Sequence, residues 1–456
     1  MGLIRSVSGV RGIVGRDITD ETASLYGRAF GRTVRGAVGV GRDSRREGER
    51  LAGALMRGLR ECGVRVLDLG VVPTPTVGIA TRSHGLAGGV AVTASHNPEE
   101  WNGFKFFSPR GVFLTSDEVA SVFRLADEGA TTAGDVGPAV ERLPGAAAEH
   151  ITLVTASPFV GREAVARMRP RVVVDCVNAA GSLVLPALLR GLGCDVVEIS
   201  CDAGRPFSRG AEPVPGNLSA LSDAVVRERA AIGLACDPDA DRLALVDERG
   251  RAVGEEYTLA VAADTVLAKR RGPVVANVST SLMIDDVARA HGVPSHRTAV
   301  GEINVVARMM EVAAVVGGEG NGGVIVPSIH PGRDAATAAA LVITALAESS
   351  SGLASGLVSR FPPYAMVKRK VEAAVSSGEA LAQAMASAFP GGVPDLTDGA
   401  KMCWPDSWVH VRMSGTEPVV RLIAEARREA DADALVRRAA AVVSRLSEGT
   451  RSCAAS

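Results

Sequence analysis

The chain has 456 residues, 46% of them hydrophobic and only 4% aromatic, enough for three or four domains of ~100–150 residues whose cores are built from Ala, Val and Leu. Lys plus Arg number 50 against 51 Asp plus Glu, a formal charge of -1, which argues against a partner bound by bulk charge, whether nucleic acid or membrane surface. Seven scattered cysteines form no C-x-x-C pair, which argues against a disulfide framework or a cysteine zinc site and suits a reducing cytoplasm. No signal peptide precedes the first expected strand, and the longest apolar stretch, residues 335–347, is shorter than the ~18 residues of a membrane span. That stretch reads as a buried helix, and the chain as cytoplasmic.

In chain order, residues 7–14 read as strand and turn. A plan of apolar strand, helix, glycine turn and second strand then occurs three times, as parallel α/β units require. Its copies are 38–40, 49–62, Gly63 and 64–69; then 171–175, 183–192, Gly193 and 194–199; then 274–278, 282–291, Gly292 and 293 onward. No strong residue identity links the copies, so the repeat is one of pattern. Each continues into a further apolar strand that opens into an unusual loop: 90–92 before Ser95, 231–235 before Asp237, and 313–316 before a Gly317–323 glycine run. The last ~90 residues change style, with strands at 368–371, 408–412 and 419–424 and helices at 379–388 and 431–446, a small α+β domain. The expected fold is therefore α/β: related α/β domains with mixed, mostly parallel sheets at 1–150, 151–252 and 253–363, and an α+β domain at 364–456. Equivalent strands facing a common cleft would assemble one site from several loops.

Ser95 lies in Thr93-Ala94-Ser95-His96-Asn97-Pro98, directly after a strand and before a proline that keeps its predecessor from helix. Ligands of open α/β sheets bind at such carboxyl strand ends, and His96, Asn102 and Lys105 add an imidazole, an amide and an ammonium nearby. The alternative is a turn in which Ser95 and Asn97 merely bond the backbone. In Asp237-Pro238-Asp239-Ala240-Asp241-Arg242, an extended backbone puts the alternate carboxylates on one side, where they repel unless a cation joins them. Mg²⁺ suits such an all-oxygen set. A calcium loop is a poorer fit, since Arg242 stands where glycine is needed although Glu248 occupies the twelfth position. A phosphatase with Asp237 as nucleophile would leave Ser95 idle, and a purely structural acidic turn is the remaining alternative.

The run Gly318-Glu319-Gly320-Asn321-Gly322-Gly323 is followed by a strand rather than a helix, so it is no dinucleotide loop. Glu319 and Asn321 there suit sugar hydroxyls, with a structural turn as the alternative. Arg412-Met413-Ser414-Gly415-Thr416-Glu417-Pro418, with Arg421, reads as an anion cradle: Arg412 and Arg421 can grip phosphate while Ser414, Gly415 and Thr416 supply donors. An ordinary hairpin turn competes with that reading.

Taken together and in this order, the four loops resemble those of the α-D-phosphohexomutase family over essentially the whole chain. The resemblance implies four domains around a central cleft and a phosphoryl shift between the 6- and 1-positions of a hexose. It implies that Ser95 is carried as phosphoserine and that Mg²⁺ is held by Asp237, Asp239, Asp241 and that phosphate. A sugar 1,6-bisphosphate would be both intermediate and activator. Arg11, in Ser8-Gly9-Val10-Arg11-Gly12, and Arg242 would add positive charge at the transferring group; Lys105, or else His96, would move the proton. Glu319 and Asn321 would hold the sugar, and Arg412, Ser414, Gly415, Thr416 and Arg421 the phosphate not in transfer.

Two departures bear on the substrate. Asn321 and Gly323 stand where many relatives have Ser and His, and Thr298-Ala299-Val300-Gly301 has Ala299 in place of the lysine of a Thr-Lys-Val-Gly form seen in phosphoglucosamine mutases. Val300-Gly301 and Ser414-Gly415-Thr416-Glu417-Pro418 still favour glucosamine phosphate, with mannose or glucose phosphate as the alternative. A non-catalytic sugar-phosphate binder is the reading from another class, but it has no need of Ser95 together with all three aspartates. Either a monomer or a homodimer is compatible with the sequence.

Overall fold

A computed structural model describes residues 2–131, 136–373, 377–413 and 419–454. In the first unit the parallel strands Gly88–Val92, Val38–Arg42 and Val66–Val71 lie side by side. Antiparallel Trp101–Phe107, Gly9–Ile13 and Ile4–Ser6 extend this sheet on one edge, and Glu141–Arg142 extends it on the other. The second sheet runs Leu243–Asp247, Ile232–Cys236, Arg171–Asp175, Asp195–Ile199, and the third Ser295–Thr298, Val274–Asn277, Val316–Glu319, Gly323–Ile325.

All three units therefore end in one device. A parallel strand turns back as an antiparallel neighbour: Gly88–Val92 into Trp101–Phe107, Ile232–Cys236 into Leu243–Asp247, and Val316–Glu319 into Gly323–Ile325. The chemistry-bearing loops are the tips of these hairpins. The fourth sheet is wholly antiparallel, in the order Ala365–Glu372, Val419–Ala426, Ser407–Met413, Ala400–Trp404, Val393–Asp395. Its apolar residues pack with those of helices Gly378–Ala388 and Glu429–Ala454.

Small side chains decide how the helices approach. Gly27 and Gly58 face each other's helix, Asp20–Gly31 against Gly48–Arg60; a Cβ on Gly58 would lie 2.1 Å from Ser24 O and one on Gly27 2.2 Å from Leu55 O. Helix Ala335–Glu348 is buried as expected, and one continuous apolar core joins the second and third units through it. Among the described residues no helix is long and apolar enough to cross a membrane.

Three features differ from the sequence expectation. Trp101–Phe107 is a strand, an element not expected from the sequence, where Asn102 and Lys105 count only as groups near Ser95. It lies between two other strands, and a Cβ on Gly103 would meet Val10 O at 2.0 Å, so the glycine is there for close backbone approach. Residues 130–148, rich in Gly and Ala and given no element in the sequence reading, supply the edge strand Glu141–Arg142. The helix expected at 183–192 divides into a 3₁₀ turn, Ala180–Leu183, and an α-helix, Leu185–Leu192, which Pro186 starts.

Helix Ala146–Thr155 ties the first unit to the third. Its fully buried His150 reaches Thr76 Oγ1 through Nδ1 (2.8 Å) and Asp334 Oδ2 through Nε2 (3.0 Å). Nearby, His330 is 3% exposed and its Nδ1 has no hydrogen-bond partner. Burial drives its pKa down to about 3, against the pull of Asp334. A histidine lowered in the folded state contributes stability that is full above its ordinary value of 6.5 and is lost as pH falls from there to about 3. His330→Asn should therefore flatten the decline in melting temperature over that interval; a profile parallel to wild type would contradict this.

Candidate active site

Ser95 is buried and has a φ of 52°, the left-handed region where a Cβ costs energy. Its Oγ donates to Asp237 Oδ2 (3.2 Å) and lies 3.4 Å from His96 Nδ1. The first and second hairpin tips thus meet at this hydroxyl. Arg11, from the strand two places away in the sheet, donates to Asn97 Oδ1 in the same loop (3.2 Å).

The ligand atoms of Asp237, Asp239 and Asp241 lie within 4.8 Å of one another, and all three side chains are buried. Protein donors hold one oxygen each of Asp239 and Asp241 and, with Ser95, both oxygens of Asp237. Asp239 Oδ2 accepts from Lys105 Nζ (2.6 Å) and Thr74 Oγ1 (2.6 Å). Asp241 Oδ2 accepts from Arg333 Nη2 (2.7 Å) and Lys105 (3.3 Å). Asp237 Oδ1 accepts from the backbone N–H groups of Asp241 and Arg242, both at 3.1 Å. Asp239 Oδ1 and Asp241 Oδ1 are buried without a hydrogen-bond partner among the described residues. Two orphaned carboxylate oxygens beside a third carboxylate are what a hard divalent cation with oxygen ligands would satisfy, so the donor set fits Mg²⁺. A calcium loop ending at Glu248 does not fit, because that carboxylate accepts from Ser355 N (3.0 Å) and Oγ (2.5 Å).

The charges agree with this arrangement. Burial opposes ionisation of every carboxylate here. It is outweighed by Lys105 at Asp239 and by Arg333 at Asp241, whose pKa values are lowered, whereas at Asp237 burial and the two neighbouring carboxylates together push the pKa well above the ordinary range. Burial also works against the Lys105 ammonium, but Asp239 and Asp241 prevail and raise it. Arg242, then burial, then Arg11 hold the His96 imidazole well below its usual value. Around Ser95, the ammonium form of Lys105 is therefore favoured and the protonated form of His96 disfavoured.

The third hairpin tip reaches the triad through Arg333. This buried guanidinium binds Asp241, Glu319 Oε2 (2.8 Å) and Glu302 Oε2 (3.0 Å), while Glu319 Oε1 accepts from Asn277 Nδ2 (2.8 Å) and Gly301 N (3.1 Å). Gly322, at a φ of 85°, accepts from Leu243 N (3.0 Å), and a Cβ there would strike Leu243 O at 2.4 Å, so the tip rests directly on the second hairpin. Asn321 makes a local turn instead, its Oδ1 accepting from Gly323 N (3.2 Å). Arg242 donates to Glu212 (3.2 Å), and its buried Nε, which makes no hydrogen bond among the described residues, lies 3.7 Å from Asp241 Oδ1.

In the fourth domain Arg412 and Arg421 are directly opposite on adjacent antiparallel strands. Like charges so paired destabilise a sheet; among the described residues Arg421 Nε is buried without a hydrogen-bond partner, and Arg412 lies 3.6 Å from Asp398. Ser414, Gly415 and Thr416 lie outside the described residues. The domain is anchored to the third by Ser279 on His410 Nδ1 (3.0 Å), Lys401 Nζ on Val278 O (2.6 Å) and Leu282 N on Glu425 (2.8 Å).

Four side chains of this site escape a reading by motif: Arg45, Asp43, Thr74 and Arg333. Their only sequence signal is position, at the end of strand Val38–Arg42, at the start of helix Thr74–Ser83, and just before helix Ala335–Glu348.

The fold and this chemistry define an intramolecular phosphotransferase acting on sugar phosphates. Four family models match in succession: phosphoglucomutase/phosphomannomutase alpha/beta/alpha domain I over residues 3–132, domain II over 148–250, domain III over 254–364 and the C-terminal domain over 366–442. A phosphoglucomutase/phosphomannomutase of Thermococcus kodakarensis is 38% identical over 441 residues, 94% of this chain and 96% of its own. A probable phosphoglucosamine mutase of Methanopyrus kandleri is 35% identical over 442 residues, 94% and 95% of the two chains. A solved phosphoglucomutase/phosphomannomutase family protein from Burkholderia thailandensis superposes with a TM-score of 0.83 at 28% identity, covering 96% of this chain and 97% of its own. The chain belongs to the phosphoglucomutase/phosphomannomutase family of α-D-phosphohexomutases.

Proposed function

We propose that the protein is a phosphoglucosamine mutase, interconverting glucosamine 6-phosphate and glucosamine 1-phosphate through phosphoserine 95 and a bisphosphorylated sugar. The observation that carries the mechanism is the 3.2 Å contact from Ser95 Oγ to Asp237, beside two carboxylate oxygens that have no donor among the described residues. Ser95 gives its phosphoryl group to the free hydroxyl of the substrate: the Ser95 Oγ–P bond breaks and a sugar O–P bond forms. Lys105, kept charged by Asp239 and Asp241, would give the proton that Oγ takes up and receive in exchange the proton that the sugar hydroxyl releases, ending the step as the ammonium it began as. His96, neutral and beside Oγ, is the alternative proton carrier. Arg11 and Arg242, whose charges act on His96 beside Ser95, would add positive charge at the transferring group. The bisphosphate then turns, and its other phosphoryl group returns to Ser95.

Asp237, Asp239, Asp241 and the serine phosphate would hold Mg²⁺, which as a Lewis acid withdraws charge from the transferring group. A sugar 1,6-bisphosphate would load the serine at the start. Glu319 and Asn321 would bind sugar hydroxyls. Arg412 and Arg421, with Ser414, Gly415 and Thr416, would grip the other phosphate; the opposed guanidiniums, otherwise repelling, support that role. Arg421→Ala should lower kcat/KM by about 10–100-fold, mostly through KM, because a charge-assisted hydrogen bond is lost. An unchanged KM in steady-state kinetics would remove Arg421 from the site.

Val300-Gly301 and Ser414-Gly415-Thr416-Glu417-Pro418 favour glucosamine phosphate, as does the Methanopyrus relative's name. The Thermococcus relative, at 38% identity, favours the second reading, mannose or glucose phosphate. Parallel kinetics on glucosamine, mannose and glucose 6-phosphates with Mg²⁺ and glucose 1,6-bisphosphate decide between them. The highest kcat/KM is expected for glucosamine 6-phosphate; a higher value for either other sugar would replace this reading with the second.

A further inference from the structure

A loop whose backbone turns away from regular structure needs donors for its carbonyls, and in the Ser95 loop one side chain supplies them to four carbonyls. Arg45, 2% exposed, donates from Nη2 to Ser95 O (2.6 Å) and Asn97 O (2.8 Å), and from Nη1 to Pro98 O (2.5 Å) and Trp101 O (2.9 Å). Its Nε binds Asp43 Oδ2 (3.0 Å). The same carboxylate oxygen accepts from Thr93 Oγ1 (2.6 Å), which in turn accepts from Ser95 N (2.9 Å). Both backbone groups of Ser95 are thus tied to a single buried Arg–Asp pair, and this holds the serine at its left-handed φ of 52°.

The guanidinium also touches the second unit. Its face lies 5.1 Å from the ring centroid of Phe207. Two residues on, Arg209 binds Asp175 (2.8 Å) and donates to the carbonyl of Cys236 (2.8 Å), the residue before Asp237; three further on, Glu212 accepts from Arg242 (3.2 Å). The segment 207–212 therefore rests on Arg45 at one end and on the aspartate loop at the other.

From these contacts we infer that Arg45 is a positioning residue for phosphoryl transfer: it fixes the Ser95 backbone and, through Phe207, sets that loop against the loop of Asp237. The inference rests on the reading of Ser95 as phosphoryl carrier. Among the described residues the partners of Arg45 are Asp43, four backbone carbonyls and Phe207, so its loss should act on the transfer step and spare substrate binding. A lysine at this position keeps the charge beside Asp43 but lacks the fork that spans four carbonyls.

The test uses the full-length, Mg²⁺-loaded protein, with folding of each variant verified by circular dichroism at the assay temperature. Arg45→Lys is expected to lower kcat about 100-fold, the cost of a misplacement of about 1 Å, and to slow loading of Ser95 from glucose 1,6-bisphosphate to a similar degree, with KM changed by less than about 3-fold. Phe207→Leu should lower kcat with KM likewise unchanged, and the double variant should lose at least about 5-fold less than the product of the single losses. A folded Arg45→Lys protein with wild-type kcat, or losses that multiply in the double variant, would overturn the inference. Should Arg45→Lys fail to fold, Phe207→Leu alone decides: wild-type kcat there overturns the link to the aspartate loop. Wild-type protein that takes no phosphate from the bisphosphate overturns the mutase reading itself, and the inference with it.

Discussion

Ser95→Ala should remove mutase activity by at least about 10⁴-fold in kcat/KM, since a residue that carries the transferred group has no substitute in the site. The variant should fold: the change deletes one hydroxyl whose donated bond, to Asp237 Oδ2 at 3.2 Å, is long, and a single hydrogen bond is worth only about 1 kcal/mol net. Melting temperature and kcat/KM measured on the same preparation separate loss of chemistry from loss of fold. Activity within a few-fold of wild type would instead favour a phosphatase using Asp237 as nucleophile, in which the serine has no task.

Asp237→Asn should leave the metal-free protein as stable as wild type or more so, yet abolish its response to Mg²⁺. The amide oxygen can still accept from the N–H groups of Asp241 and Arg242, which Asp237 Oδ1 binds at 3.1 Å. One of three crowded negative charges is meanwhile removed. Wild type at a Mg²⁺ concentration about 100-fold above Kd should gain about 2.7 kcal/mol of stability, and the variant far less. Activity should fall by about 10³-fold or more, as Lewis-acid stabilisation of several kcal/mol is lost. Stripping wild type with a chelator should silence it reversibly. An Mg²⁺-dependent rise in melting temperature equal to wild type in Asp237→Asn would contradict the metal assignment.

Much of the fold was legible because short β-branched runs end in Gly, Pro or Asp. The expected strand 171–175 is the observed Arg171–Asp175, and the three tips begin where apolar runs stop. Lys105 shows the limit of such reading. It belongs to a central strand that Asn102 and Gly103 disguise, since the glycine answers to Val10 O across the sheet rather than to a turn. The missing residues act over long separations: Thr74 on Asp239 and Arg333 on Asp241 are 165 and 92 residues apart. Neither has a motif, because a hydroxyl or guanidinium becomes informative only once the tertiary fold sets it against a carboxylate. Asn321 illustrates the converse: a polar residue within a motif loop whose observed bond is to its own backbone. The substrate's identity was least legible, because it rests on a few hydroxyl or amine contacts rather than on a repeated pattern.

The account stands on a single covalent state. Incubating the protein with Mg²⁺ and glucose 1,6-bisphosphate, then taking intact mass and mapping peptides, should reveal one phosphoryl group, on Ser95, and hexose 6-phosphate should discharge it as bisphosphate. No phosphate on the protein, or phosphate on Asp237 instead of Ser95, would contradict the central claim.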